Sequence, residues 1–77
     1  MNFTYDTEDF ETDVIQKSHH VPILVDFWAD WCAPCKVLGP ILESLAQQNG
    51  GEWLLAKVDT EKHPTIAARY QIKGIPN

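Results

Sequence analysis

The run Val21–Ala29 (VPILVDFWA) constrains this chain more than any other segment. It is rich in β-branched and aromatic residues and lacks polar alternation, the pattern of a strand buried on both faces. Such a strand needs helices above and below it and neighbours at its edges. The chain has only 77 residues to supply them, 44% hydrophobic and 22% charged, which suits one small soluble domain with a single core. A domain of this size buries only about 60% of its unfolded surface, so its stability is expected to be marginal unless something supplements it.

The flanking segments alternate strand-like and helix-like patterns. Phe3–Tyr5 reads as a first strand. Asp6 or Thr7 is placed to cap a following helix, with Glu8, Asp9 and Glu11 near its positive end and Phe10, Val14 and Ile15 as its apolar face. Pro34–Asn49 places Leu38, Ile41, Leu42 and Leu45 at helical spacing, stopped by Gly50 and Gly51. Pro40 removes one bond inside that helix, to the carbonyl of Lys36, and predicts a kink. Trp53–Val58 reads as a third strand, and Pro64–Tyr70 as a short helix opened by its proline. The order β-α-β-α-β-α indicates an α/β sandwich whose second and third strands are parallel, joined by a right-handed crossover.

Between the buried strand and the long helix stands Trp28-Ala29-Asp30-Trp31-Cys32-Ala33-Pro34-Cys35-Lys36. Strand end, Cys-x-x-Cys and helix start coincide, and this context makes a cysteine pair redox-active. Cys32 falls where unpaired N–H groups and the positive helix end favour thiolate over thiol, so it reads as the nucleophile. Cys35, one turn further in, reads as a shielded resolving thiol. Pro34 fixes the backbone between them. A zinc site would need two more ligands; His19 and His20 are adjacent, His63 is alone, and there is no second cysteine pair, so no metal is expected.

Asp26 is the only charge in the buried strand. Burial raises the proton affinity of a carboxylate, and such groups beside a reactive centre serve as proton donors or acceptors; the structural alternative is a polar cavity or a pairing with Lys57, the lone charge of the third strand. Trp28 reads as core filler and Trp31 as a wall of a binding surface, while His19-His20 belongs to a solvated loop.

The net charge of −5, with six basic residues scattered singly, disfavours nucleic acid and anionic membrane surfaces. Met1–Phe10 lacks the basic and apolar regions of a secretory signal, and no stretch approaches the ~18 apolar residues of a membrane span. A close cysteine pair in such a chain points to a reducing cytosol, hence a cytoplasmic location.

The stretch VDFWADWCAPCK closely resembles the active-site signature of the thioredoxin family, and the likeness continues through Pro40, Lys57 and Gly74-Ile75-Pro76, covering essentially the whole chain. The resemblance implies a thioredoxin-like fold and a thiol-disulfide oxidoreductase that reduces protein disulfides without a cofactor, supplied by a thioredoxin reductase-type electron donor. It assigns Asp26, with Lys57 beside it, to proton exchange with Cys35. It also implies a cis peptide bond before Pro76, and a substrate-binding surface of Trp31, Ala33, Pro34, Ile75 and Pro76. Ala33 stands where the commonest family motif has glycine, and the residues between the cysteines tune redox poise. The family pattern continues past the cis-proline for roughly 30 residues in two antiparallel strands and a helix, so residues 1–77 are expected to be one incomplete domain. The run GPILESLAQQ with AKVDTEKHPTIAARY also resembles thioredoxin-like co-chaperones carrying helical repeats, which makes a redox-linked holdase the alternative reading. Crossover geometry and the resemblance together predict the strand order first, third, second. That order leaves VPILVDFWA at an open edge, to be supplemented by dimerisation, strand exchange or a rearranged C-terminus around Pro76.

Overall fold

In a computed structural model, residues 2–77 are described, and Met1 of the amino-terminal segment lies outside them. Three parallel strands, β1 (Thr4–Asp6), β2 (Ile23–Trp28) and β3 (Leu54–Asp59), form a sheet in the order β1-β3-β2. This is the predicted order, with the most apolar strand at an edge. The strand itself is shorter than VPILVDFWA: Val21, Pro22 and Ala29 lie outside it. Pro22 still contributes its carbonyl, which accepts from the Leu54 N–H at 3.0 Å.

Strand register sorts the side chains into two faces, because neighbours across a ladder point the same way. Tyr5, Ala56 and Val25 share one row, and Val58 and Phe27 the next, on the face that builds the main core with Phe10 and Val14. Tyr70 closes this face, its ring 5.3 Å from that of Phe10 and 6.5 Å from that of Phe27. The opposite face carries the fully buried Leu55 and, across all three strands, the row Asp6, Lys57, Asp26.

The first helical segment departs from expectation. Glu11–Gln16 has π-type hydrogen bonding and Lys17–His19 is a 3-10 turn. The Tyr5 hydroxyl donates to the Asp13 carbonyl (2.5 Å) and Ser18 Oγ to the Ile15 carbonyl (2.6 Å), and carbonyls so engaged distort an α-helical ladder. The capping side chains are also not Asp6 or Thr7. Asp9 accepts from the Thr12 N–H at 3.3 Å, and Asp13 reaches back to the N–H groups of Glu8 and Asp9 at 3.0 and 3.1 Å. Thr7 instead prolongs the strand ladder, its N–H donating to the Lys57 carbonyl at 2.8 Å. Val14 and Phe10 are buried as expected, Ile15 only partly.

The long helix α1 (Ala33–Asn49) runs continuously through Pro40. Gly50, at φ 67°, ends it in the left-handed conformation that glycine adopts without steric cost. Its packed face differs from the predicted one. Gly39 and Ala46 are buried, Leu38 and Leu42 are half-buried, and Ile41 and Leu45 are 52% and 46% exposed. The helix turns Gly39 and Ala46 inward, which leaves Ile41 and Leu45 facing solvent beside the exposed Val37.

The short helix α2 (Pro64–Arg69) ends in a tight motif in which the N–H groups of Gln71 and Ile72 donate to the carbonyls of Ala68 and Ala67, at 3.1 and 3.0 Å. Gln71 is the left-handed residue of this motif, at φ 55°. The turn sends Ile72–Asn77 back across the sheet, where Asn77 and Phe27 exchange both backbone hydrogen bonds (2.8 and 3.3 Å).

Candidate active site

Cys32 occupies the N-cap of α1, with extended backbone, and Pro34 lies in the first turn. Its Sγ accepts a hydrogen bond from the Cys35 N–H at 3.2 Å. A sulfur in this position meets one of the N–H groups that a helix start leaves unpaired, an environment that favours negative charge on it once the thiol is free. Cys35 sits one turn into the helix, and the two cysteines are joined in a disulfide across a Cα–Cα distance of 5.3 Å. Both are buried, at 3% and 4% exposure. Cys35 is shielded as expected; Cys32, in the disulfide state, is shielded equally.

Ala29, Trp28 and Ile75 pack against the pair. Ile75 arrives there through the turn after α2, and its peptide bond to Pro76 is cis. Trp31 is 69% exposed and stands beside Ile75, Gly74, Lys73, Ile72, Thr60 and Ala67 around a shallow, mostly apolar groove of about 210 Å³. Ala33 and Pro34 are exposed on the rim formed by the helix start, and Pro76 is half-buried. Thr60, Ala67, Ile72, Lys73 and Gly74 were not among the expected site residues. Thr60 joins them because its N–H and hydroxyl both donate to the Trp28 carbonyl, at 2.9 and 3.1 Å, tying the loop after β3 to the end of β2.

Behind the disulfide, Trp28 is half-buried and its indole N–H has no protein acceptor. Asp26 is 2% exposed, and its Oδ2 likewise has no partner. Burial pushes the proton affinity of Asp26 above that of an ordinary carboxyl; the nearby Lys57 opposes this and Glu43 reinforces it. Lys57 is the register partner of Asp26, so the two lie side by side as the sequence suggested. The ion pair that Lys57 forms is a different one: its Nζ lies 3.5 Å from Glu43 Oε2 and 5.2 Å from the centre of the Trp28 ring. Glu43 was absent from the expected site residues. Its signal in the sequence is its place two turns beyond Cys35 on the same helix, four residues after the buried Gly39.

His19 and His20 are exposed, away from the cysteines in sequence and in the core packing. Among the described residues, no three His, Cys, Asp or Glu side chains gather as metal ligands, and no helix is long and apolar enough to cross a membrane.

The arrangement can perform two-electron exchange. Once reduced, a helix-capping thiolate beside an apolar groove can attack a second disulfide, with a partner sulfur in bonding reach and a carboxyl of raised proton affinity on the strand that leads into the helix. The family model described as Thioredoxin matches residues 2–77. The chain is 45% identical over 69 residues to a thioredoxin of Acidithiobacillus ferridurans and 46% identical over 69 residues to one of Buchnera aphidicola; each match covers 90% of this chain and 62% of the relative. A thioredoxin of Thiocapsa roseopersicina is 43% identical over 70 residues, covering 91% of this chain and 76% of the relative. The chain thus spans about three fifths of the length of the first two of these relatives.

Proposed function

The chain belongs to the thioredoxin family, and from that premise we propose that it is a thiol-disulfide oxidoreductase reducing disulfides in other proteins through Cys32 and Cys35. The observation that carries this reading is the cysteine pair itself, held in a disulfide at the N-cap of α1 beside the Trp31–Ile75 groove. In the reduced state the Cys32 thiolate attacks a substrate disulfide, forming a mixed disulfide and releasing one substrate thiolate. Cys35 then loses its proton and attacks Cys32 Sγ, releasing the second substrate thiolate and leaving the Cys32–Cys35 disulfide. Two electrons pass to the substrate, whose two sulfurs take up protons. Asp26 is the acceptor for the Cys35 proton, because burial raises the proton affinity of its carboxyl above the ordinary range, in the direction of a thiol's.

Trp31, Ala33, Pro34, Ile75 and Pro76 form the surface that receives an extended substrate segment. The cycle closes when a thioredoxin reductase-type donor returns two electrons to the disulfide. A reducing, cytosolic setting suits this direction of flow. The outer edge of β2 supports a further partner: Phe27 pairs with Asn77, while the alternation of a strand puts the backbone groups of Ile23 and Val25 on the same edge with no strand against them among the described residues. A second copy pairing there is the reading for self-association.

Turnover tests the function. With dithiothreitol as electron source, the chain should accelerate reduction of a disulfide-bonded protein well beyond dithiothreitol alone, and Cys32→Ser should abolish the acceleration. Equal rates with and without the chain would refute the activity.

A further inference from the structure

Lys57 can reach two carboxylates, and the structure shows which one it takes. As the cross-strand neighbour of Asp26 it lies within a side chain's length of that carboxyl. Yet its ammonium is 3.5 Å from Glu43 Oε2, on the α1 side, where both partners are partly open to solvent. Trp28 lies beneath it at 5.2 Å and favours a cation there. Gly39 leaves the corner open: even an added Cβ at that position would be 3.5 Å from Lys57 Nζ and 3.8 Å from Glu43 Oε2. Asp26, almost completely buried, is left with Oδ2 unpartnered.

We propose that Glu43 is a positioning residue for the proton transfer: it holds the Lys57 ammonium away from Asp26 and so keeps that carboxyl free of an ion pair and able to take up the Cys35 proton. A carboxylate with a cation against it is a weaker base, so an Asp26–Lys57 pair would be poorly matched to a thiol. The charged neighbours bear this out by element. β3 presents Lys57, α1 presents Glu43, and β1 presents Asp6 one strand beyond Lys57 in the same row. On the opposite sheet face the first helical segment contributes Phe10, Val14 and Ile15, all apolar, and the titratable groups are the Tyr5 hydroxyl of β1, which donates to the Asp13 carbonyl, and Tyr70, which packs on Phe10 and Phe27. Glu43 acts in the same direction as burial on Asp26, against Lys57. The kinetic part of this role rests on the oxidoreductase reading; the placement of the charge does not.

Glu43→Gln keeps the side chain's length and removes its charge at a partly exposed helix position. Carbon-13 NMR of the Asp26 carboxyl, followed against pH in the reduced chain without substrate, should show its titration midpoint shifted downward. The resolving step should slow about threefold or more near neutral pH. In a Lys57→Met background the same substitution should move the midpoint much less, since no cation is left to release. An unmoved or upward-moved midpoint would overturn the proposal, and so would an equal shift in both backgrounds, which would mean that Glu43 acts through its own charge alone. A chain that shows the shift but turns over no disulfide would count against the oxidoreductase reading, not against the placement of Lys57 by Glu43.

Discussion

Asp13 and Asp26 are the same side chain in two regions that treat negative charge oppositely. At the start of the first helical segment, the Asp13 carboxylate collects the N–H groups of Glu8 and Asp9, and these hydrogen bonds, helped by Lys17, hold its proton affinity below the ordinary range. In the middle of β2, the Asp26 carboxyl is buried, its Oδ2 receives no donor, and its proton affinity is raised, first by burial. The first arrangement stabilises the fold. The second works against it, and it stands on the strand that leads into a helix beginning with a disulfide. A buried acid that weakens a small domain in this way is the group the proposed proton transfer would use.

The widest contrast between the two regions is in stability. Replacing Asp26 by Asn should stabilise the chain at neutral pH in denaturant titrations, while slowing the resolving step. The sign follows from the raised proton affinity. The folded state holds this proton more tightly than the unfolded chain, so stability is highest below the unfolded value of about 3.9 and falls as pH rises through the folded value. The gain from Asn should therefore vanish in acid. A loss of stability at neutral pH would break the comparison, for it would mean that Asp26 is a satisfied structural group.

Asp13 should behave in the reverse sense and more weakly. Asp13→Ala removes the acceptor for two backbone donors and should cost about 1 kcal/mol, the scale of a helix cap. Because the folded proton affinity is lowered, its contribution is present above the unfolded value and lost as pH falls through the folded one, so parent and variant should converge in acid. A pH-independent difference would show that Asp13 acts by packing. The smallest effect is expected at Gly39→Ala, where the new methyl meets Lys57 Nζ at ordinary contact distance. Removing a glycine from a helix interior should add about 0.5–1 kcal/mol, seen as a raised Tm. A drop in Tm would show that the Lys57–Glu43 corner needs the space.

The parts of this molecule legible in the sequence are those where one residue type has a single reason to be present. Cys32 and Cys35 at a strand-to-helix junction, Asp26 alone in an apolar strand and the glycine stop at Gly50 are of this kind, and the sheet order followed from the crossover and the family likeness. What was hidden depends on how elements meet. Helical spacing marked Ile41 and Leu45 as core, but the residues that α1 buries are Gly39 and Ala46, which carry little hydrophobic signal. Asp9 and Asp13 displaced Asp6 and Thr7 as capping groups because Thr7 continues the strand ladder, a choice decided by β3, some fifty positions away in sequence. Glu43 looks like any solvated helix residue until Lys57 is placed beside it.

The exchange chemistry at Cys32 is tested most directly by stopping it halfway. Reduced Cys35→Ser chain, mixed with a disulfide-bonded protein and analysed by non-reducing electrophoresis and peptide mass spectrometry, should accumulate a covalent complex joined through Cys32 Sγ and released by dithiothreitol; the absence of such a complex, or its formation by Cys32→Ser instead, would contradict the assignment of Cys32 as nucleophile and Cys35 as resolving thiol.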